Sequence, residues 1–271
     1  MIDRLTSFDS CMDFIRELNS DPCFSDPMLS TPGQVERNLM NSLDKPDDHV
    51  LGVYENGDMT GLFDFLILEE DRYIEMIVGL SRSAAAYEEI MDWLKANYPG
   101  YQADFVFNPA NHVLKELLER NDADFDKEQQ KMVLHDRHLQ IDTTGIELLS
   151  KVYEEQYKAI HGTDVYWTAE RVIEAPERFR VLLAVEDGHV LGYIDITKCF
   201  DDNEPFDVWV EPSYRRRGWG RKLVAKAIEL NRPADMMLLV EVDNTPAICL
   251  YESLGFEKVE GKNNQTVTWN L

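Results

Sequence analysis

A short basic stretch of this sequence has residue types and spacing suited to binding an anion. Five of the eight residues in RRRGWGRK, from Arg215 to Lys222, are basic, although the chain carries a formal net charge of −24. The stretch lies between a strand-like apolar run and a segment with helical spacing, which predicts a turn that opens a helix. Backbone N–H groups in the first turn of a helix lack partners and attract anions. Gly218 and Gly220 have no Cβ, so a phosphate can approach the main chain closely. The sequence therefore predicts a diphosphate site.

Basic stretches of this kind also occur for reasons unrelated to diphosphate. A basic run is commonly a solvated face, and that alternative stays open for the stretch taken alone. A Walker-type loop is excluded because the chain contains no GxxxxGK[ST], and Lys222 is followed by Leu223. The Rossmann pattern GxGxxG is not completed after Gly220. A nucleic-acid patch is disfavoured because the acidic remainder of the surface would repel a polyanion.

A second set of residues follows the next predicted strand. Met236 to Val242 has strand composition and leads into NTPAICLYESLGF, which begins at Asn244. Asn244 or Thr245 is a suitable N-cap and Pro246 suits the first helical position. Ala247 and Tyr251 are four residues apart, so a helix places them on one face with room beside the phenol.

The elements around these two motifs indicate an internal repeat. The hairpin-like segment from Val181 matches the one from Val50 at a shift of 131 residues, and six positions are identical. They are Val50, Leu51, Glu55, Gly57, Gly61 and Asp64. NPANHVLKELL from Asn108 also aligns with the segment from Asn244, at a shift of 136 residues. Self-similarity at a long period indicates two copies of one α/β unit, predicted at residues 1–136 and 137–271.

Each copy is predicted to contain its own closing strand. Lys131 to His135 would close the first copy. A hairpin of Phe256 to Val259 with Gln265 to Trp269 would close the second. Ile146 to Ile160 is predicted as one helix at the start of the second copy.

Composition restricts the class of protein. The chain of 271 residues has 44% hydrophobic and 29% charged residues, which is typical of a globular protein. No window approaches the roughly 18 apolar residues of a membrane span, and the N-terminus has no signal-peptide core. The four cysteines form no CxxC pair and show no metal-ligand spacing with the histidines. We expect a cytoplasmic monomer or homodimer that binds no metal, nucleic acid or membrane.

Together these motifs resemble the GNAT superfamily of N-acetyltransferases. The resemblance is carried, in this order, by DVWVEP from Asp207, RRRGWG from Arg215 and NTPAICLYESLGF from Asn244. It implies an α/β fold of two tandem GNAT-like domains, each with a mixed, mostly antiparallel central sheet flanked by helices. It also implies a sheet that splays open between Phe206 to Val210 and Met236 to Val242.

The resemblance also implies a co-substrate and a set of site residues. Acetyl-CoA would supply the acetyl group without a metal, and a small-molecule or peptide amine would receive it. The implied cofactor-binding residues are Trp209, Val210, Arg215, Arg216, Arg217, Gly218, Trp219, Gly220, Arg221, Asn244, Ala247 and Tyr251. Main-chain groups of Trp209 and Val210 would pair with pantetheine, and Tyr251 would protonate the leaving thiolate. Glu211 is the candidate base, with Glu241 and Asp195 as rivals.

The first copy departs from this pattern where chemistry would occur. SRSAAAYEE, from Ser81, replaces the basic glycine loop, and Lys115 aligns with Tyr251. We therefore expect a degenerate first domain and an acetyl-CoA-dependent N-acyltransferase in the second, working by direct attack in a ternary complex. The alternative is a non-catalytic acyl-CoA sensor or interaction module. Cys249, His161 and His189 are not expected to take part in catalysis.

Overall fold

A computed structural model describes residues 1–135, 140–163, 167–200 and 202–271. The predicted domain boundary between residues 136 and 137 lies outside them. The strands are β1 Ile2–Arg4, β2 Asp48–Glu55, β3 Asp58–Leu68, β4 Tyr73–Ser81, β5 Gln102–Phe107, β6 Asp124–Phe125, β7 Gln129–Leu134, β8 Ile146–Leu148, β9 Phe179–Glu186, β10 His189–Thr197, β11 Asp202–Asn203, β12 Pro205–Val210, β13 Asp235–Glu241, β14 Glu257–Lys258 and β15 Gln265–Asn270. The α-helices are α1 Met12–Asn19, α2 Pro32–Val35, α3 Ala84–Asn97, α4 His112–Arg120, α5 Glu154–Ile160, α6 Ala169–Glu174, α7 Trp219–Asn231 and α8 Thr245–Ser253.

The chain divides into two compact units that do not follow the two halves of the sequence. The first unit contains residues 1–130 and 259–271, and the second contains residues 131–258. The fold class is confirmed, since sheets whose strands are mostly antiparallel are flanked by helices.

The first unit is built on a seven-stranded sheet in the order β1-β2-β3-β4-β5-β15-β6. Neighbouring strands are antiparallel except for the parallel pair β4 and β5. The predicted hairpin at Asn56-Gly57 is present, and both turn residues have positive φ, at 53° and 93°. Helices α3 and α4 contribute Tyr87, Leu94 and Leu118 to the core on this sheet.

The second unit contains two four-stranded sheets, β12-β10-β9-β8 and β11-β13-β7-β14. Strand β12 is at the edge of the first sheet, and β13 belongs to the second. The predicted splay between these two strands is therefore confirmed. Helix α7 packs into the core of this unit through Leu223, Val224 and Ile228.

The predicted assignments of the closing strands are wrong. The strands form, but each unit is completed by a strand from the other half of the sequence. Gln265 to Asn270 pairs along its whole length with β5, from Phe107 to Gln102. That ladder buries Val267 and Trp269 in the first unit, which the two-residue β14 could not do. In turn, β7 joins the second unit, where Val133 pairs with Glu257.

The predicted helix from Ile146 to Ile160 is only partly present. Ile146 to Leu148 is a strand that pairs with β9, and the helix begins at Glu154. Ile146 packs with Leu182 and Ala184 of β9 in the core. Burial of this side chain on the sheet overrides the helical spacing of the sequence.

The internal repeat appears as two equivalent hairpins, β2–β3 and β9–β10. Each carries one buried aspartate, Asp64 or Asp195, and a bulge lies directly after it. Asp195 has side-chain partners. The Asp64 carboxylate is 0% exposed and makes no hydrogen bond of good geometry to the described residues, although the Ser42 hydroxyl lowers its pKa. Burial raises the pKa of Asp64 to about 7.

No helix in the described ranges has the length and apolar composition needed to span a membrane.

We predict that Asp64→Asn flattens the pH dependence of stability. Between the unfolded pKa of 3.8 and the folded pKa of about 7, the folded chain holds a proton that the unfolded chain releases, so stability falls as pH rises. An asparagine does not titrate, so the variant should lose less stability between pH 5 and 8, by on the order of 2 kcal/mol. Urea unfolding of the variant, the wild type and the exposed-site control Asp58→Asn measures this. Equal slopes in all three would contradict the prediction.

Candidate active site

The turn between β12 and α7 has an open helix start. Gly218 is the N-cap and adopts φ of 90°, which a residue with a Cβ rarely adopts. Arg216 also has positive φ, at 63°. No side chain of the described residues caps the helix. Backbone amides 216–221 donate to no main-chain carbonyl in the described turns and loops. Several N–H groups are therefore available to an anion at one place.

A groove of about 530 Å³ lies at this helix start. It is lined by Val210, Tyr214, Arg215, Arg216, Gly218, Trp219, Gly220, Arg221, Thr245, Pro246, Cys249 and Leu250. Seven of the predicted cofactor-binding residues are among them. In the described part of the chain, Trp209, Arg217, Asn244, Ala247 and Tyr251 do not line it.

The basic side chains of the turn differ in their partners. Arg215 donates from Nε to the Val210 carbonyl at 2.8 Å, and the Arg217 guanidinium lies 5.0 Å from the Tyr214 ring centre. Lys222 Nζ lies 3.1 Å from Asp142 Oδ2. Arg216 is exposed and makes no hydrogen bond or ion pair within the described residues. Arg216 is therefore the cation of the turn most available to a ligand.

The corresponding helix start in the first unit is closed. Ser83 caps α3 by accepting a hydrogen bond from the amide of Ala86 at 3.3 Å. Arg82 forms ion pairs with Glu17 at 2.6 Å and Asp21 at 2.9 Å. Among the described residues, the helix start of the first unit thus differs from that of α7 in having a side-chain cap and an arginine paired with carboxylates.

The helix caps also change which residues correspond between the units. Asn111 caps α4 as Asn244 caps α8. The caps therefore correspond to each other, whereas the sequence alignment paired Asn108 with Asn244. Leu118 then takes the place of Tyr251 instead of Lys115, and α4 contains no tyrosine.

Tyr251 lies on α8 with its ring in the core of the second unit. The residue is 8% exposed, and its ring packs edge-on against Phe256 at 5.7 Å between centroids. The hydroxyl makes no hydrogen bond to the described residues, yet it is not sealed from solvent. Burial raises the pKa of Tyr251 to about 12, with smaller contributions from the charges of Asp207 and Glu204. The phenol therefore stays protonated at neutral pH.

Three other predicted residues are placed as follows. Asn244 is exposed, and its side chain accepts from the amide of Ala247 at 3.3 Å. Glu211 accepts from the Ser213 hydroxyl at 2.8 Å, on the turn that leaves β12. Trp209 is half-buried and stacks on Tyr193 at 6.2 Å.

Sequence reasoning missed Glu204, which directly precedes β12. Burial raises the pKa of Glu204 to about 7, against the opposing effect of a hydrogen bond from the Leu239 amide on β13. Its carboxyl group thus lies where β12 and β13 separate. No motif marks it, because its environment depends on a strand that is 35 residues away in the sequence.

Sequence reasoning also placed His161 in a loop without a role. His161 follows α5 and is buried, with Nε2 2.9 Å from Asp195 Oδ2 and 3.9 Å from Asp207 Oδ2. Tyr157 donates to both oxygens of Asp195 at 2.9 Å, and Tyr193 donates to Asp207 at 2.7 Å. The sequence offered one signal for this cluster. Tyr193 and Asp195 are two residues apart on one predicted strand, so their side chains share a face of the sheet, and Asp207 lies on the next predicted strand.

Comparison with known proteins shows what this region is similar to. The model of the acetyltransferase (GNAT) family matches residues 146–256. [Ribosomal protein bS18]-alanine N-acetyltransferase of Escherichia coli strain K12 is 32% identical over 91 residues, which cover 32% of this chain and 62% of that protein. N-alpha-acetyltransferase RimI of Mycobacterium tuberculosis is 34% identical over 77 residues, which cover 27% of this chain and 48% of that protein. The chain thus spans about half to three fifths of the length of these curated relatives.

Solved structures resemble the whole chain. A GCN5-related N-acetyltransferase from Sphaerobacter thermophilus has a TM-score of 0.66 at 13% identity, covering 100% of this chain and 95% of that chain. A tandem GNAT protein from the clavulanic acid biosynthesis pathway has a TM-score of 0.58 at 16% identity, covering 100% and 98%. At these identities the likeness to the solved structures concerns the fold. The similarity to the GNAT family rests on the match of its model to residues 146–256.

We predict that Gly218→Ala weakens the binding of coenzyme A by about tenfold. A Cβ at a φ of 90° strains the turn by roughly 1–2 kcal/mol. A turn that changes shape to relieve this strain no longer presents its amides to the diphosphate. Gly188→Ala is a matched control, since Gly188 has a φ of 79° and, like Gly218, open space around its Cβ position. Both variants should lose similar stability, and only Gly218→Ala should lose affinity. Calorimetric titration with coenzyme A measures this. Equal affinities for the two variants would contradict the prediction.

Proposed function

We propose that this protein is an acetyl-CoA-dependent N-acyltransferase that moves an acetyl group to a primary amine by direct attack in a ternary complex. The uncapped start of α7 beside the unpaired Arg216 carries the proposal. Free amides, a helix dipole and a guanidinium at one place suit the diphosphate of coenzyme A. The groove at this helix start would hold the nucleotide end of acetyl-CoA.

The edge strand β12 supplies a way to polarise the thioester. The Glu211 amide donates to the Leu191 carbonyl, and Tyr193 pairs with Trp209. Main-chain groups alternate in an antiparallel ladder, so the Val210 amide points away from β10. We propose that it faces the thioester, where a fixed N–H stabilises the negative charge that develops on the carbonyl oxygen. The Val210 carbonyl accepts from Arg215, which leaves the amide as the available group.

Tyr251 is proposed as the acid of the reaction. Attack by the amine forms the new C–N bond, and collapse of the tetrahedral species breaks the C–S bond and expels a thiolate. The unpaired phenol of Tyr251 would give that thiolate its proton. Its pKa, raised to about 12, keeps it protonated throughout the neutral range.

We predict that Tyr251→Phe lowers turnover by about 100-fold through loss of this proton donor and leaves the affinity for coenzyme A unchanged. Thiol release measures turnover and calorimetry measures affinity. Tyr153→Phe, in a different core cluster, is the control. A Tyr251→Phe variant with wild-type turnover would remove Tyr251 from the mechanism.

Two carboxylates are candidates for the base that takes the proton of the amine. Glu211 is the candidate from the sequence, but its carboxylate is engaged by Ser213 on the turn. Glu204 acts on Tyr251 through its charge, and its pKa of about 7 matches that of an efficient base at neutral pH. We therefore propose Glu204 ahead of Glu211.

We predict that kcat/KM rises with pH through about 7, because Glu204 must be ionised in the free enzyme to accept a proton. Glu204→Gln should remove that rise and lower kcat by about 100-fold. Glu211→Gln is measured in parallel across the same pH range. If the rise of the rate with pH is lost in Glu211→Gln and retained in Glu204→Gln, the base is Glu211.

The acceptor is an amine of a peptide or of a small molecule. One relative is named for the alanine of ribosomal protein bS18, and one structural neighbour comes from the clavulanic acid pathway. A panel of spermidine, an aminoglycoside and an alanine-initiated peptide covers both classes. Binding of coenzyme A without thiol release from acetyl-CoA for any of them would favour the acyl-CoA sensor.

We further propose that the first unit does not turn over acetyl-CoA. Its α3 start is capped by Ser83, and its Arg82 is neutralised by carboxylates. The four cysteines are free thiols, which suits the reducing cytoplasm as the proposed compartment.

A further inference from the structure

A buried polar cluster beside β12 has no role in the acyl transfer described above. It consists of Tyr157, His161, Tyr193, Asp195 and Asp207, and we call it the histidine cluster. Only Asp207 is substantially exposed, with 40% of its side chain accessible, whereas the side chains of His161 and Asp195 are 2% and 0% exposed. The cluster thus extends from the core to the surface through one carboxylate.

The geometry favours a positive charge on His161. Its Nδ1 lies 3.0 Å from the Gly162 carbonyl, and its Nε2 lies 2.9 Å from Asp195. A carbonyl only accepts hydrogen bonds, as does an ionised carboxylate, so both ring nitrogens are placed to donate. The ring also stacks on Tyr193 at 5.0 Å, as a cation does on an aromatic face. Burial alone would lower the pKa of His161, but the hydrogen bonds to Asp195 and Gly162 raise it.

The charges of the cluster do not balance. One imidazolium lies between two carboxylates, closer to Asp195 at 2.9 Å than to Asp207 at 3.9 Å. Asp195 also accepts from Tyr157, so it is fully paired inside the protein. Within the described ranges, the one hydrogen bond that Asp207 accepts from a side chain comes from the Tyr193 hydroxyl, at 2.7 Å. A negative charge therefore remains at the exposed end of the cluster.

That exposed end belongs to the proposed reaction site. Asp207 is on the edge strand β12, and its charge contributes to the raised pKa of Tyr251. On the adjacent Trp209, the indole stacks on Tyr193 and is half-buried. A carboxylate next to an aromatic surface is a suitable receptor for an ammonium group.

We propose that Asp207 binds the ammonium group of the acceptor, and that the buried His161–Asp195 ion pair, with Tyr157 and Tyr193, positions it. The inference rests on the proposed function and specifies its substrate class. The acceptor is an aliphatic primary amine that is protonated at neutral pH, whereas an arylamine or an alcohol is disfavoured. Asp207 is a binding residue, and His161 and Asp195 are positioning residues.

The test uses benzylammonium and benzyl alcohol, which have nearly the same shape and differ in charge. Each is titrated into the full chain saturated with coenzyme A, which carries no acetyl group to transfer. The Trp209 indole N–H signal in NMR reports binding. We expect benzylammonium to bind about tenfold more tightly than the alcohol, since a hydrogen bond to a charged group contributes about 1.5–3 kcal/mol.

Asp207→Asn should abolish that preference and keep the affinity for coenzyme A. Tyr193→Phe keeps the stacked ring but loses the bond to Asp207, so it should retain only part of the preference. Asp187→Asn, at the exposed β9–β10 turn, is the matched control and should behave as wild type. Equal binding of both probes by the wild type, or an undiminished preference in Asp207→Asn, would overturn the proposal.

The positioning role has its own readout. Two protonated nitrogens of His161 should be visible by ¹⁵N NMR at pH 7. Tyr157→Phe should raise the pKa of Asp195, because Asp195 loses a hydrogen bond that favours its ionised form. A neutral imidazole would overturn the ion pair. A change of the His161 signals on adding a chelator would also overturn it, because it would indicate a metal ion bound to His161, Asp195 and Asp207. These measurements need no turnover. If coenzyme A binds and no amine is acetylated, the proposed function fails while the NMR data still decide the inference.

Discussion

The site depends on backbone N–H groups that have no partner in the described part of the chain. A helix start normally obtains a capping side chain, because unpaired amides cost free energy when they are withdrawn from water. At α7 the N-cap is Gly218, which offers no side chain, and the groove keeps the amides accessible. At α3 the cap is Ser83. One residue type at the same structural position separates a helix start without a side-chain cap from one with a cap.

The two units also differ in the surroundings of the buried aspartates of their repeated hairpins. Asp64 and Asp195 both lie directly before a bulge on the second strand of their hairpin. In the second unit Tyr157 donates a hydrogen bond to the carboxylate of Asp195, and His161 Nε2 lies 2.9 Å from it. In the first unit burial raises the pKa of Asp64 to about 7, and the Ser42 hydroxyl offsets this effect only in part. A buried carboxylate is thus shared by both units, and only the second surrounds it with a hydrogen-bonded cluster that reaches the edge strand.

The exchange of terminal strands shows why the sequence halves and the compact units differ. Strand β15 forms its ladder with β5 and buries Trp269 there, while β7 pairs with β14 in the second unit. Residues 131–258 contain both sheets of the second unit. The machinery proposed for acyl transfer therefore lies within one continuous segment, and the final strand of the chain contributes to the first unit.

Local chemistry could be predicted from the order of the residues. The glycines and arginines of RRRGWGRK, the cap and proline before α8, and the turns at Asn56-Gly57 and Asp187-Gly188 were all readable, because short-range sterics and hydrogen bonds decide them. The repeat of the hairpins, and the family resemblance carried by three ordered motifs, also followed from the sequence.

Strand partners and electrostatics, in contrast, emerged only with the folded chain. Which strand β15 joins depends on side-chain burial across more than 150 residues of chain, and no local signal encodes it. The pKa of Glu204 and the charge on His161 arise from groups brought together by folding. A histidine after a helix looks like a loop residue in sequence, and only the approach of two carboxylates from neighbouring strands makes it the centre of a polar cluster.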